Sequence, residues 1–149
     1  MGILMNVIPV KKLKPNAILP TYGSAGSAGA DLYACLDGTI EIAPGQTVFV
    51  PTGLAMEIPE GYAGLAYARS GLACKQDLAP ANKVGVIDSD YRGEFIIALH
   101  NHGREVRVIN HGERIAQLVI TPVYTPGFTE VSELSDTKRG VGGFGSTGK

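Results

Sequence analysis

The segment Gly85-Val86-Ile87-Asp88-Ser89-Asp90-Tyr91-Arg92-Gly93 ends an apolar stretch with two carboxylates, an aromatic ring and a glycine turn. A strand that closes in this way can place a water beside Asp88 for deprotonation and leave hairpin backbone groups open for hydrogen bonding. Aspartates at strand ends also serve simply as turn residues, so this segment alone does not decide between the two roles. Arg69-Ser70-Gly71 and Gly112-Glu113-Arg114-Ile115-Ala116-Gln117-Leu118 are further polar insertions into apolar context. Ala28-Gly29-Ala30-Asp31-Leu32 adds a carboxylate to an otherwise small, apolar stretch. Arg114 reads equally well as one half of a structural ion pair and as a ligand contact.

The C-terminal stretch carries a different chemistry. Gly143-Phe144-Gly145-Ser146-Thr147-Gly148-Lys149 matches the first seven positions of a G-x-x-x-x-G-K phosphate loop, but it lacks the preceding strand, the following helix and the final Ser or Thr. What survives is backbone N–H groups bared by glycine, two hydroxyls at Ser146 and Thr147, and the cation of Arg139, a set able to wrap a polyphosphate. Phe144, alone among glycines, suits stacking on a flat ring. His100 and His102 lie on one face of a strand and raise a metal reading together with His111. Asn101 and Gly103 instead make this stretch a strand running into a turn, and no Glu follows at the spacing of a cupin site.

The elements that must position these groups follow from composition. The chain has 149 residues, 44% of them apolar, and a formal charge of −1 from 13 basic and 14 acidic residues. That excludes a disordered body, and it disfavours a partner held by counterion release, so no nucleic-acid partner is expected. Cys35 and Cys74 form no C-x-x-C pair, and two buried free thiols are the expectation. The opening MGILMNVIPVKKLK places its lysines after the apolar stretch and has no cleavage pattern, and no run reaches membrane-spanning length. A cytoplasmic protein with no membrane partner is expected.

Twenty glycines and nine prolines punctuate apolar stretches, with turn dipeptides such as Asp37-Gly38, Pro44-Gly45 and Glu60-Gly61 between them. The pieces are strand-sized. Thr39-Ile40-Glu41-Ile42 and Glu105-Val106-Arg107-Val108 alternate with period two, whereas the runs at 95–99 and 118–120 read as buried on both faces. A short helix is expected only after Arg69, through Leu72-Ala73-Cys74-Lys75. The whole predicts an all-β fold of roughly ten short strands, a jelly-roll barrel or sandwich. Residues 1–134 form the expected domain, and 135–149 a flexible, glycine-rich C-terminal arm with almost nothing to bury.

Taken in order, residues 28–34 (AGADLYA), 69–73 (RSGLA), 82–93 (NKVGVIDSDYRG), 112–118 (GERIAQL) and 139–148 (RGVGGFGSTG) resemble the five signature motifs of the trimeric dUTP pyrophosphatases, the dUTPase family. The likeness runs from about Ile8 to the end. Ala68 departs from it, where the family often has proline before RSG.

The resemblance implies a jelly-roll homotrimer whose sites are assembled at subunit boundaries, with the arm closing over a neighbour's site. It implies Mg²⁺-dependent hydrolysis of dUTP to dUMP and pyrophosphate, which removes dUTP and supplies dUMP for thymidylate synthesis. Asp88 matches the general base that activates water for attack on the α-phosphorus, and Asp90 does not. Tyr91 matches the ring that excludes a 2′-hydroxyl. Asn82 and the backbone of Gly85, Val86, Ile87 and Asp88 match the uracil-reading hairpin. Arg69, Ser70, Gly71 and Gln117 match phosphate contacts, and Asp31 matches the residue that holds Mg²⁺ through water. In the arm, Arg139 would clamp phosphates, Phe144 would stack on the uracil, Gly145 would contact the substrate, and Ser146 with Thr147 would bind the γ-phosphate. Arg114 is left structural. A dCTP deaminase shares the fold, but would lack the Phe-bearing tail and use a catalytic glutamate. A catalytically silent trimeric module would have lost Asp88 or the tail.

Overall fold

A computed structural model describes residues 7–148. Met1 to Asn6, where the N-terminal targeting motifs were sought, and Lys149, the last position of the phosphate-loop match, lie outside the described residues.

Among the described residues, twelve short strands and one helix follow the glycine punctuation: β1 Val10–Lys12, β2 Thr21–Tyr22, β3 Ala30–Tyr33, β4 Thr39–Ile42, β5 Thr47–Pro51, β6 Leu54–Met56, β7 Tyr62–Tyr67, α1 Ser70–Gln76, β8 Leu78–Pro80, β9 Gly85–Ile87, β10 Ile96–Asn101, β11 Arg107–Asn110 and β12 Arg114–Pro122. All pairings are antiparallel. A five-stranded sheet runs β2-β3-β12-β7-β9, a three-stranded one β5-β10-β8, and β1-β6 and β11-β4 form two ribbons. The ladders do not close on themselves. The fold is thus the all-β jelly roll, in its sandwich and not its closed-barrel form.

Between the layers lies one apolar core, in which Leu32, Ile42, Leu54, Leu78, Leu99, Ile109 and Ile115 are fully buried. Two polar side chains are sealed into it with their partners, as burial requires. Asn101 donates to the carbonyls of Ile42 and Glu105 at 2.8 and 2.7 Å and accepts from Gly103 N–H at 2.9 Å. Thr52 donates to the Phe95 carbonyl at 2.6 Å, tying the β5–β6 turn to the chain just before β10. That turn needs Gly53: its φ is +68°, and a Cβ there would sit 2.8 Å from the Cys35 sulfur.

Two expectations change. The run at 95–99 is not buried on both faces: Ile97 and Leu99 point inward, while Ile96 is 49% exposed and shares the outer face with the paired strand's Phe49 at 71%. The stretch through β11 does alternate, but Arg107 and Ile109 take the inner side and Val106 and Val108 the outer. Of the cysteines only Cys35 is buried, and Cys74 is exposed, because α1 turns Leu72 inward and Cys74 away. The helix itself falls where the sequence places it. The last strand ends at Pro122, and nearly everything from Tyr124 onward is exposed, so exposed chain begins before residue 134. Among the described residues, no helix is long and apolar enough to cross a membrane.

Candidate active site

Neighbouring strands assemble the first cluster. Asp31 on β3 stands directly opposite Gln117 on β12, and Gln117 stands opposite Tyr67, the last residue of β7. From there the chain leads through Arg69, in extended conformation, into Ser70 at the start of α1. Register therefore carries Asp31, Gln117, Arg69 and Ser70 to the same end of the sheet. A register irregularity between Arg114 and Ala116 adjoins them, as bulges often do beside functional groups.

The charges here are paired closely. Arg69 Nε donates to Asp31 Oδ1 at 2.8 Å, and Arg114 Nη1 lies 3.6 Å from Oδ2, around a carboxylate whose side chain is 13% exposed. Gln117 Nε2 donates to the Ala68 carbonyl at 2.8 Å, which turns Oε1 toward Gly29. A Cβ on Gly29 would meet that oxygen at 2.6 Å. These groups, with Ser27 and Gly23, line an open cavity of about 320 Å³. Gly71 follows Ser70 on the exposed side of α1 and does not line it.

The second cluster occupies the far edge of the same sheet. β9 pairs with β7 through Gly85 opposite Ala66, Val86 opposite Leu65 and Ile87 opposite Gly64, and among the described residues no strand lies beside its other edge. An edge strand presents unpaired N–H and C=O groups. Asn82 folds back beside Gly85, its Nδ2 3.4 Å from where a Cβ would stand. Beyond β9 the chain turns sharply, with Tyr91 N–H donating to the Asp88 carbonyl at 3.2 Å and Arg92 Nη1 to the Ser89 carbonyl at 2.6 Å. Tyr91 Oη donates to the Glu94 carbonyl at 2.8 Å. Asp88 is exposed, and no hydrogen bond or ion pair among the described residues engages its carboxylate. Asn82, Gly85, Val86, Ile87, Asp88 and Tyr91 line a cavity of about 420 Å³, whose apolar wall is completed by Phe49, Phe95 and Ile96.

The two cavities share no residue. The arm joins neither. Arg139 Nε donates to the Gly142 carbonyl at 2.7 Å, and Ser146 N–H to that of Gly143 at 3.0 Å. Phe144 is fully exposed at a left-handed φ of +51° between two glycines, and Gly145, Ser146 and Thr147 are exposed beside it. The histidines do not converge. His100 Nδ1 bonds the Thr47 hydroxyl at 2.8 Å and its ring meets that of His102 edge-on at 4.5 Å, while His111 Nδ1 accepts from Leu36 N–H at 3.1 Å. Partial desolvation, reinforced by the neighbouring His100, holds the imidazole of the exposed His102 below its ordinary pKa. Among the described residues no three His, Cys, Asp or Glu side chains form a metal cluster.

Sequence reasoning passed over several of these residues. Arg114 was legible only as ambiguous, and its distance to Asp31 places it in the charged cavity. Gly29 and Ser27 gave no sign beyond belonging to a small-residue stretch. Phe49 and Ile96 reach the apolar cavity through strand register, which no local pattern encodes.

Comparison with known proteins fits this arrangement. The family model described as dUTPase matches residues 15–148. The deoxyuridine 5'-triphosphate nucleotidohydrolase of Desulfitobacterium hafniense (strain DSM 10664 / DCB-2) is 54% identical over 131 residues, 87% of each chain. That of Janthinobacterium sp. (strain Marseille) is 49% identical over 148 residues, covering 97% of this chain and 99% of the relative. Among solved structures, a mutant dUTPase of Staphylococcus bacteriophage 80alpha with dUpNHpp superposes at a TM-score of 0.88 and 32% identity over 97% of this chain and 99% of that one. The phage phi11 dUTPase of S. aureus superposes at 0.81, with 28% identity over 89% and 100%. Likeness at this identity over nearly the whole length, in sequence and in fold alike, means that the chain belongs to the dUTPase family.

Proposed function

We propose that the chain hydrolyses dUTP to dUMP and pyrophosphate in sites that two cavities of different protomers and the arm of a third complete together. The chain is a dUTP nucleotidohydrolase by family; the products, the metal and the division of labour are this proposal. The observation that carries it is the separation on one protomer: the groups suited to a nucleoside and those suited to phosphates line cavities with no residue in common. Juxtaposing the apolar cavity of one copy with the charged cavity of another, in a homotrimer, brings the two sets together.

In the apolar cavity, the unpaired edge of β9 and Asn82 present hydrogen-bonding groups to the uracil edge. A base with a different donor pattern leaves buried polar groups unmatched, at about 1–3 kcal/mol each. The Tyr91 ring closes the space where a 2′-hydroxyl would stand. Asp88, free of partners, takes a proton from a water placed in line with the α-phosphorus. As the water oxygen bonds to phosphorus, the bond to the bridging oxygen breaks and pyrophosphate leaves. Ser70 lies near that oxygen, and Arg69, Gln117 and Gly71 bind the phosphates. Arg139, Phe144, Gly145, Ser146 and Thr147 then close over the bound nucleotide.

A divalent cation fits the charged cavity in a particular way. Asp31 is a single carboxylate, not a protein cage, which suits Mg²⁺, an ion that keeps several waters and takes one or two carboxylates plus substrate phosphates. Bound there, the ion would offset the charge developing on the triphosphate.

The test offers dUTP, dCTP, dTTP and UTP separately with Mg²⁺ and measures monophosphate and pyrophosphate. Turnover of dUTP alone is expected. Equal turnover of all four, or deamination of dCTP, overturns the proposal.

A further inference from the structure

We propose that Gly93 is a positioning residue for the Tyr91 ring and thereby sets the enzyme's discrimination between deoxyribose and ribose, an inference that rests on Tyr91 being the sugar-reading ring. Arg92-Gly93 looks like ordinary turn punctuation. The backbone says otherwise: Gly93 is absent from the glycines with positive φ, so its conformation is open to any residue. What demands glycine is space. A Cβ at Gly93 would stand 2.5 Å from Tyr91 Oη, 2.6 Å from Cζ and 2.9 Å from Cε2. Real Cβ contacts essentially never fall below 3.0 Å.

The ring therefore lies directly over the Gly93 backbone, and two further contacts fix it there. Its hydroxyl donates to the Glu94 carbonyl at 2.8 Å. Its centroid stands 6.2 Å from that of Phe95, tilted by 34°, and Phe95 is 2% exposed and anchored in the core. The Phe95 carbonyl in turn accepts from the buried Thr52 hydroxyl. From that seat the Tyr91 ring, 45% exposed, forms part of the wall of the cavity that also holds Asp88. Of the two things that could yield to a methyl group at position 93, the ring turns about two side-chain bonds, while the backbone is held by Tyr91 N–H to Asp88 and Phe95 N–H to Leu54. A methyl group there thus lifts the ring off its seat without unfolding the turn.

Ring displacement changes selectivity and not merely rate, because the excluded volume at the 2′ position moves with the ring. The experiment compares kcat/KM for dUTP and for UTP in the parent, Gly93→Ala, Tyr91→Ala and the double variant, with thermal midpoints for each. Gly93→Ala is expected to lower the dUTP/UTP ratio by at least about tenfold, since misplacements on the ångström scale cost up to about 10²-fold. In the Tyr91→Ala background, the same glycine substitution should leave the ratio where Tyr91→Ala alone puts it. If Tyr91→Ala collapses the ratio but Gly93→Ala lowers both nucleotides equally, the positioning role is overturned and Tyr91 keeps its role. If neither variant moves the ratio, Tyr91 is not the sugar reader, and the assignment and the inference fall together. Should Gly93→Ala fail to fold, the double variant decides: folding restored by removing the ring supports the steric account, and continued misfolding overturns it.

Discussion

The two cavities of one protomer solve different problems with different materials. The charged cavity is built from side chains on adjacent strands, its carboxylate held by two guanidiniums and almost out of reach of water. The apolar cavity is built from a strand edge, a turn and outward-facing hydrophobic side chains, with an aspartate that nothing restrains. Fixed charges in a partly desolvated setting avoid reorganisation when a polyanion arrives. A free backbone edge reads a base by its donors and acceptors, which a charged side chain would do with less selectivity. Where charge is to be held the chain uses cross-strand pairs, and where shape is to be read it uses backbone.

The contrast can be broken most sharply at Asp88. Asp88→Asn is expected to lower kcat by at least about 10³-fold while leaving binding of a non-hydrolysable dUTP analogue largely intact, consistent with loss of a general base. Co-refolding it with a Gln117→Ala chain, itself impaired, should return activity above that of either variant, because some sites would then draw each intact cavity from a different copy. Activity that never exceeds the sum of the two places both cavities' functions within one protomer.

Removal of residues 139–149 comes next. It should reduce kcat/KM for dUTP by about 10²-fold, the scale of lost positioning, with an unchanged thermal midpoint, because residues 139–148 are almost wholly exposed on their own protomer. A melting or dissociating truncation would assign the arm to the fold and not to catalysis.

A smaller effect separates the cavities from each other. Gly29→Ala pushes the Gln117 amide from its seat and should raise KM for dUTP several-fold, while leaving the dUTP/UTP ratio untouched. A shift in that ratio would mean that the charged cavity reads the sugar as well. The smallest expected effect lies outside both. The exposed His102 imidazole is held below its ordinary pKa by partial desolvation and by His100, so near pH 6.5 this group binds more protons in the unfolded chain than in the folded one. Stability should therefore fall slightly as pH drops from 7 to 5.5, and His102→Gln should flatten that slope in thermal melts without changing nucleotide selectivity.

Much of this was readable from residue order alone. Glycine and proline spacing marked the strands, and Arg69 onward announced the one helix of the described residues because no other stretch offered a convincing helical repeat. The residues of the charged cavity could be named but not joined: Asp31, Arg69 and Gln117 meet through strand register, a long-range property. The same limit explains the error over the run at 95–99. An apolar strand whose outer face carries exposed hydrophobic side chains looks, in sequence, like one buried on both sides. Arg114 stayed ambiguous because a guanidinium that pairs with a carboxylate and one that lines a cavity are spelled identically, and here it pairs with Asp31 and lines the charged cavity as well. Gly93 escaped because turn glycines and space-making glycines differ only in what lies above them.

The last bond tying the C-terminal stretch to its own body is Val123 N–H to the Gly61 carbonyl, so Phe144 hangs on a tether of some twenty residues. Such a tether spans roughly 70 Å when stretched and averages roughly 25 Å as a coil. On the proposed closure, that tether holds the stacking ring near an adjoining site at a local concentration on the order of millimolar, independent of how dilute the enzyme is. A synthetic peptide with the same residues would have to be supplied at that level to replace it.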